Sequence, residues 1–113
     1  MPRQYTMLVA APYIIVPLFK LYSLRSNYVD QLNAFSSIWC VVENMFLAAT
    51  AEGLGTSMRI PVGDEGAKVC KALGVPEGWM MPCYIGIGYP REDAPEVEQL
   101  TFSADQKMHM GKW

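Results

Sequence analysis

Residues 35–56 read FSSIWCVVENMFLAATAEGLGT, and this stretch decides the fold. No glycine or proline occurs from Gln31 to Glu52, and apolar residues recur at intervals of three and four, which predicts a long helix. Gly53 supplies a stop for this helix, and a second glycine follows two residues later in a tight exit. The recurring apolar positions are Phe35, Ile38, Trp39, Val42, Met45, Phe46 and Ala49.

The other faces of this helix are also apolar, because they carry Val41, Leu47 and Ala48. A helix that is apolar nearly all round needs cover on more than one side. We therefore expect its own domain to cover one side and a partner chain to cover another.

The composition bounds the class of protein. The chain has 113 residues, of which 51% are hydrophobic and 18% charged, and its formal net charge is −2. This length fits one domain, 1–113, and the apolar content excludes a disordered chain. A small domain buries only part of its surface, so the excess of apolar residues indicates an oligomer. The nine Lys and Arg residues are scattered, and the sequence therefore predicts no nucleic-acid partner.

The three cysteines are Cys40, Cys70 and Cys83. They show no CxxC or Cys/His spacing, and each lies among apolar neighbours. This pattern predicts buried free thiols in a reducing compartment, the cytoplasm, and no metal site.

Two apolar stretches imitate membrane signals. Met7 to Phe19 resembles the apolar core of a signal peptide, but Pro12 and Pro17 interrupt it and no cleavage site of small residues follows. Residues 34–51 are long enough to cross a bilayer but carry Glu43 near their middle. We interpret the second stretch as a core helix and expect no membrane partner.

Shorter elements are predicted around the long helix. Asn27 or Asp30 is suited to cap it, since either side chain can accept a hydrogen bond from the first turn. Tyr13 to Phe19 has no apolar alternation, which is typical of a strand covered on both faces. The remaining predicted elements are a helix from Asp64 to about Leu73, a turn at Pro76 to Trp79, a strand from Met81 to Gly88, and a capped short helix from Ser103 to about Met110.

No catalytic side chain stands out. Phosphate-loop, nucleophile-elbow and metalloprotease motifs are absent, and the one histidine, His109, has no nucleophile paired with it in the sequence. We assign no residue a catalytic role. If the chain serves catalysis, a bound cofactor is expected to carry the chemistry.

The long helix and its exit resemble the FMN-dependent nitroreductase family, whose pattern reads A-x-x-N-x-x-L-A-A-x-x-x-G-L-G-[ST]. Asn44, the Leu-Ala-Ala at 47–49 and the Gly-Leu-Gly-Thr at 53–56 match it, and Val41 replaces the opening alanine. Further matches follow in order along the chain: Ala11 to Val16, Val69 to Pro76, Ile85 to Pro90, and His109 with Trp113.

This resemblance implies an α+β nitroreductase-like fold in which a mixed sheet flanks a long central hydrophobic helix. It implies a homodimer through the helix around Phe35 to Glu52, FMN as cofactor, and NAD(P)H as electron donor. A small-molecule acceptor such as a nitroaromatic or a quinone would take the electrons.

The segment after the glycine exit would run along the flavin ring and present backbone N–H groups near the reactive N5 atom. The cofactor-binding residues implied in this way are Ser57, Met58, Arg59, Ile60 and Pro61. The alternative is that Met58 and Ile60 belong to the core and that Arg59 is a surface charge.

Two departures from the family pattern bear on the phosphate of FMN. The family's Arg- and Ser-rich motif precedes the strand near which this sequence begins, and residues 99–102 read Gln-Leu-Thr-Phe where the family has a basic residue. We therefore expect a partial fold, the C-terminal part of a flavin-dependent oxidoreductase. The alternatives are a non-catalytic dimerisation or interaction module and a truncated fragment that has lost flavin binding.

Overall fold

The computed structural model describes residues 2–21, 27–95, 98 and 100–112, with the backbone alone at residues 2–4. Its main feature is a three-stranded sheet with helices on both faces. The elements are α1 (Pro2–Ala10), β1 (Tyr13–Ile15), β2 (Phe19–Lys20), α2 (Tyr28–Ala51), β3 (Gly55–Arg59), α3 (Glu65–Ala72), β4 (Trp79–Met80), β5 (Tyr84–Gly88) and a single 3₁₀ turn (Ala104–Gln106).

The strands form two sheets. β5 lies between β1 and β3 in the larger sheet, and β2 pairs with β4 in a two-stranded ribbon. Every pairing among these strands is antiparallel. The described part of the chain therefore shows antiparallel sheets, where we expected a mixed one.

The long helix confirms the central prediction, with a shifted start. α2 begins at Tyr28, three residues before the expected Gln31, because Asn27 caps it and its Oδ1 accepts the Asp30 N–H at 3.1 Å. The helix ends at Ala51, and Gly53 adopts a left-handed φ of 70°. Glycine tolerates this conformation without a Cβ clash, which explains the stop.

The core consists of two clusters on opposite faces of the larger sheet. Successive residues of a strand point to opposite faces, so Tyr84 and Ile85 of β5 enter different layers. Ile85 packs with Cys83 and with Val42 of α2. Tyr84 packs with Leu8 of α1. The sheet therefore separates α2 from α1.

The first predicted strand is wrong in length and in burial. Residues 13–20 form two short strands with the buried Pro17 between them, because proline has no N–H to donate to a ladder. Tyr13 is 74% exposed, since β1 lies at the edge of its sheet. The second predicted strand begins at Tyr84 instead of Met81, and Pro82 explains the delay in the same way.

The two ends of the chain also differ from expectation. The sequence gives no prediction of α1, although proline is favoured at a first helical position and Pro2 occupies it. The capped helix predicted from Ser103 to Met110 is wrong, because only the 3₁₀ turn forms and the Ser103 side chain makes no cap bond. All described residues of this stretch are exposed, so no packing stabilises so short a helix.

The cysteines are free, but they are not all buried as predicted. Cys83 is buried, and burial raises the pKa of its thiol. Cys70 is half-buried, and Cys40 on α2 is exposed. Cys40 is exposed because it lies on a side of α2 that is not packed. Among the described side chains of α2, the buried ones are Ile38, Val42 and Ala49.

α2 is long and apolar enough to cross a membrane by length and composition, a test that core helices of soluble proteins also pass. Its Val42 lies in the cluster with Ile85 of β5 and with Cys83, the residue before that strand. Packing within the chain thus covers the apolar residues on the sheet-facing side of α2, and it leaves those on the other side exposed.

Candidate functional site

A pocket of about 460 Å³ lies where α2, α3, β4 and the loop after β3 meet. This volume falls within the usual range of small-molecule sites. Three aromatic side chains contribute to its walls, namely Phe35 and Trp39 of α2 and Trp79 of β4. No lysine, arginine or histidine is among the described residues that line it. Such walls suit a flat and largely apolar ring, and they supply no cation for a phosphate.

The loop at residues 60–63 and the start of α3 also line the pocket. Gly66 lies close to the loop, since a Cβ there would lie 3.4 Å from Cγ of Pro61 and 3.6 Å from Cγ of Met81, both ordinary van der Waals contacts. Gly63 has a φ of 61°, a conformation that other residues seldom adopt. Both glycines line the pocket and set its shape.

The backbone N–H groups of this loop have different partners. The Val62 N–H donates to Oε2 of Glu65 at 3.1 Å, and the Val62 carbonyl accepts the Glu65 N–H at 3.2 Å. The N–H groups of Gly63 and Asp64 have no acceptor within the described residues. Free N–H groups at the start of a helix favour negative charge, since the helix dipole has its positive end there. The loop therefore offers donors beside an apolar pocket.

An ion pair holds the base of the loop. Nη1 of Arg59 donates to Oε1 of Glu65 at 2.5 Å, and the Arg59 guanidinium lies 5.9 Å from the centroid of the Tyr84 ring. The hydrogen bond from Arg59, followed by that from the Val62 N–H, lowers the pKa of Glu65 to about 2. Burial, followed by hydrogen bonding with Glu65, raises the pKa of Tyr84. Glu65 is thus ionised at neutral pH and bonded through both oxygens.

The structure separates the five residues assigned to the cofactor. In β3, Ser57 pairs with Gly86 and Arg59 with Tyr84, and these lie on the α1 side of the sheet. Met58 pairs with Ile85 and so lies on the α2 side. Ile60 and Pro61 line the pocket. Strand alternation forbids all five side chains from facing one ligand. The assignment of the segment to a cofactor stays a prediction.

The structure places the Arg59 side chain, and its assignment to the cofactor stays a prediction. It does not line the pocket, and it is not a surface charge, because Glu65 neutralises it and its side chain is only 19% exposed. Sequence reasoning missed Glu65 and Trp79 as site residues. The signal for Glu65 is its place at the start of α3, where the free N–H groups and the helix dipole favour a carboxylate. Trp79 has no such signal, because its approach to Phe35 and Trp39 of α2 depends on tertiary packing.

The sequence of this chain matches a known protein family. The nitroreductase family model matches residues 2–89. The chain belongs to the nitroreductase family. A curated relative, 5,6-dimethylbenzimidazole synthase of Rhodospirillum rubrum, is 34% identical over 70 residues, which are 60% of this chain and 32% of the relative.

Solved structures show the same fold. An iodotyrosine deiodinase bound to FMN and 3-iodo-L-tyrosine superposes with a TM-score of 0.66 at 21% identity, over 87% of this chain and 48% of that one. The FMN- and NADPH-dependent nitroreductase NfnB of a Sphingopyxis strain (HMH) superposes with a TM-score of 0.65 at 17% identity, over 98% of this chain and 48% of that one. The chain thus has an α+β nitroreductase-like fold and spans about half the length of these two structures.

Proposed function

We propose that this chain forms the flavin-ring site of an oxidoreductase of nitroreductase type. In this proposal electrons pass from NAD(P)H through FMN to a nitroaromatic, a quinone or a similar small molecule. The observation that carries the proposal is the apolar pocket whose wall includes Ile60, Pro61 and Gly63, the loop that follows the glycine exit. Family membership and the FMN named with two structural relatives support it.

The residues of the pocket would bind and orient the ring. Trp39 and Trp79 present flat apolar surfaces, which exclude water from one region of the site. The free N–H group of Gly63, which lines the pocket, would stabilise negative charge on an electron-rich ring edge, because a fixed donor costs no reorganisation during reaction. Bound FMN supplies the two-electron chemistry, which none of these side chains can perform.

The phosphate of FMN needs cationic partners from outside the pocket. A homodimer through residues 35–52 would bring a second chain to α2, whose exposed residues include Val41 and Leu47. In this proposal each chain is a single domain over residues 1–113. The dimer lies in the cytoplasm, where free thiols such as that of Cys40 persist. No membrane and no nucleic acid is part of the proposal.

The test is a visible absorbance spectrum of the purified chain after FMN has been added and the excess removed by gel filtration, with light scattering for mass. Retained flavin bands on a dimer are expected, and NADH and NADPH oxidation assays would follow. A colourless protein overturns flavin binding by this chain. It would leave the second candidate, a dimerisation or interaction module, which the lack of a cation among the described pocket residues favours.

A matched pair of variants locates the flavin. Ala67 lines the pocket, and Ala72 lies on the same helix outside it, so Ala67→Phe fills the space that Ala72→Phe leaves open. We expect Ala67→Phe to weaken FMN binding at least about tenfold, because the added ring competes for the pocket volume. Equal weakening by both variants would place the flavin elsewhere on the chain.

A further inference from the structure

The Glu65 side chain joins three parts of the site. It bonds to Arg59 at the end of β3 and to the Val62 N–H in the loop, and its own backbone begins α3. The groups facing the carboxylate from other elements are Arg59 and, through hydrogen bonding, Tyr84 of β5. One carboxylate thus fixes the loop at residues 60–63 to the strand before it and to the helix after it.

The neighbouring carboxylate makes no such connection. Among the described residues, the Asp64 side chain pairs with Lys68 of the adjoining α3 and no other, at 2.9 Å, and both side chains are 74% exposed. Pairs of this kind contribute little to stability. Asp64 and Glu65 carry the same charge at the same helix start, so Asp64 provides a matched control for electrostatic effects on the helix dipole.

We propose that Glu65 is the positioning residue of this pocket, holding the loop at residues 60–63 in the conformation that receives the flat ring of the ligand. The loop would be held through both carboxylate oxygens, one on Arg59 and one on the Val62 N–H. Arg59 then acts through Glu65 and makes no contact with the ligand. The part of this inference that concerns FMN rests on the proposed function, and the part that concerns the loop does not.

The first measurement needs no flavin. Amide hydrogen exchange of the full chain, read by NMR, reports the bond from the Val62 N–H. We expect Glu65→Ala to reduce the protection of this amide about tenfold, because a bond to a charged acceptor is lost, while Asp64→Asn leaves it unchanged. Glu65→Gln keeps one acceptor oxygen and should give an intermediate value. Unchanged protection in both Glu65 variants overturns the proposal.

A pH titration of the Val62 amide shift separates positioning from simple packing. In the wild type this shift should titrate with the low midpoint of Glu65, about 2. Arg59→Ala removes the main cause of that low pKa, so the midpoint should rise toward the ordinary Glu value of 4.5. Asp64→Asn should leave it in place. An unmoved midpoint in Arg59→Ala means that the two side chains do not act together, and it overturns the proposal.

The second measurement is the FMN dissociation constant. We expect Glu65→Ala to raise it about tenfold, because a loosened loop pays an ordering cost on binding, and Asp64→Asn to change it less than about twofold. Equal constants for the wild type and Glu65→Ala overturn the role toward the ligand. If the wild type binds no FMN but the Val62 amide responds as expected, the proposed function fails and the positioning of the loop by Glu65 stands.

Discussion

Gly88 lets Pro12 pack closely against the backbone of β5, because its side chain is only a hydrogen atom. A Cβ at this position would lie 2.8 Å from Cδ of Pro12, an atom fixed in a ring, so the backbone would have to move. We expect Gly88→Ala to lower the free energy of unfolding by about 1–3 kcal/mol. Gly55 lies opposite in the register and has room for a Cβ, with the nearest atom 3.6 Å away. Urea unfolding should therefore show a much smaller loss for Gly55→Ala, and equal losses would contradict the close approach of Pro12.

Glu65 gives the stability of the chain a defined dependence on pH. Its pKa in the folded chain lies near 2, below the ordinary value of 4.5, so the carboxylate stabilises the folded state above about pH 4.5 and loses this effect as the pH falls toward 2. Glu65→Gln should flatten the curve of melting temperature against pH in this window, and Asp64→Asn should not. Parallel curves for wild type and Glu65→Gln would show that the Arg59 bond contributes nothing to folding.

At the site, the sequence could locate the segment but not the individual contacts. Alternation along a strand already implies that Ser57 and Arg59 face away from Met58. The bond between Arg59 and Glu65 depends on how far the loop turns back, and the sequence gives no signal for that distance. Trp79 of β4 meets Phe35 and Trp39 of α2 in the pocket walls, although the two elements are far apart in the sequence. Such long-range placement depends on tertiary packing, which local patterns do not contain.

At the scale of the element, α2 has one face that determines folding. Val42 is 1% exposed and packs in the cluster with Ile85, whereas Val29 in the first turn is 58% exposed. We expect Val42→Ala to lower the free energy of unfolding by about 2 kcal/mol through lost contacts and a residual cavity. Val29→Ala should change it by less than about 0.5 kcal/mol. Urea unfolding of the two variants, at equal protein concentration, compares them directly, and similar losses would mean that α2 does not pack on the sheet through Val42.

The elements differ in how well their sequences predict them. α2 was predictable because 24 residues repeat one period and Asn27 and Gly53 mark its ends. The strands were harder, since short apolar runs fit several structures and Pro17 and Pro82 divide them. The helix expected at 103–110 had a capping signal without burial, and a cap alone does not stabilise so short a segment.

At the scale of the whole molecule, the chain exposes more apolar surface than a compact monomer of its length. Its radius of gyration is 17.3 Å, against about 13 Å for a compact chain of roughly 100 residues. Every described residue from Tyr89 to Lys112 is exposed, and α2 leaves Val41 and Leu47 uncovered. An apolar surface of this kind favours association with another chain.

Self-association through α2 is testable with two leucines of equal exposure. Leu47 on α2 is 60% exposed and Leu73 at the end of α3 is 59% exposed, so each accepts a lysine without loss of core packing. Light scattering of the wild type should give twice the 12.6 kDa of one chain. A lysine at 47 would be buried unpaired in the proposed interface, which should raise the dimer dissociation constant at least about 100-fold. Leu73→Lys should leave it unchanged.

A dimer that tolerates Leu47→Lys but not Leu73→Lys would assign the interface to α3. A wild-type monomer would mean that a different chain covers the apolar side of α2.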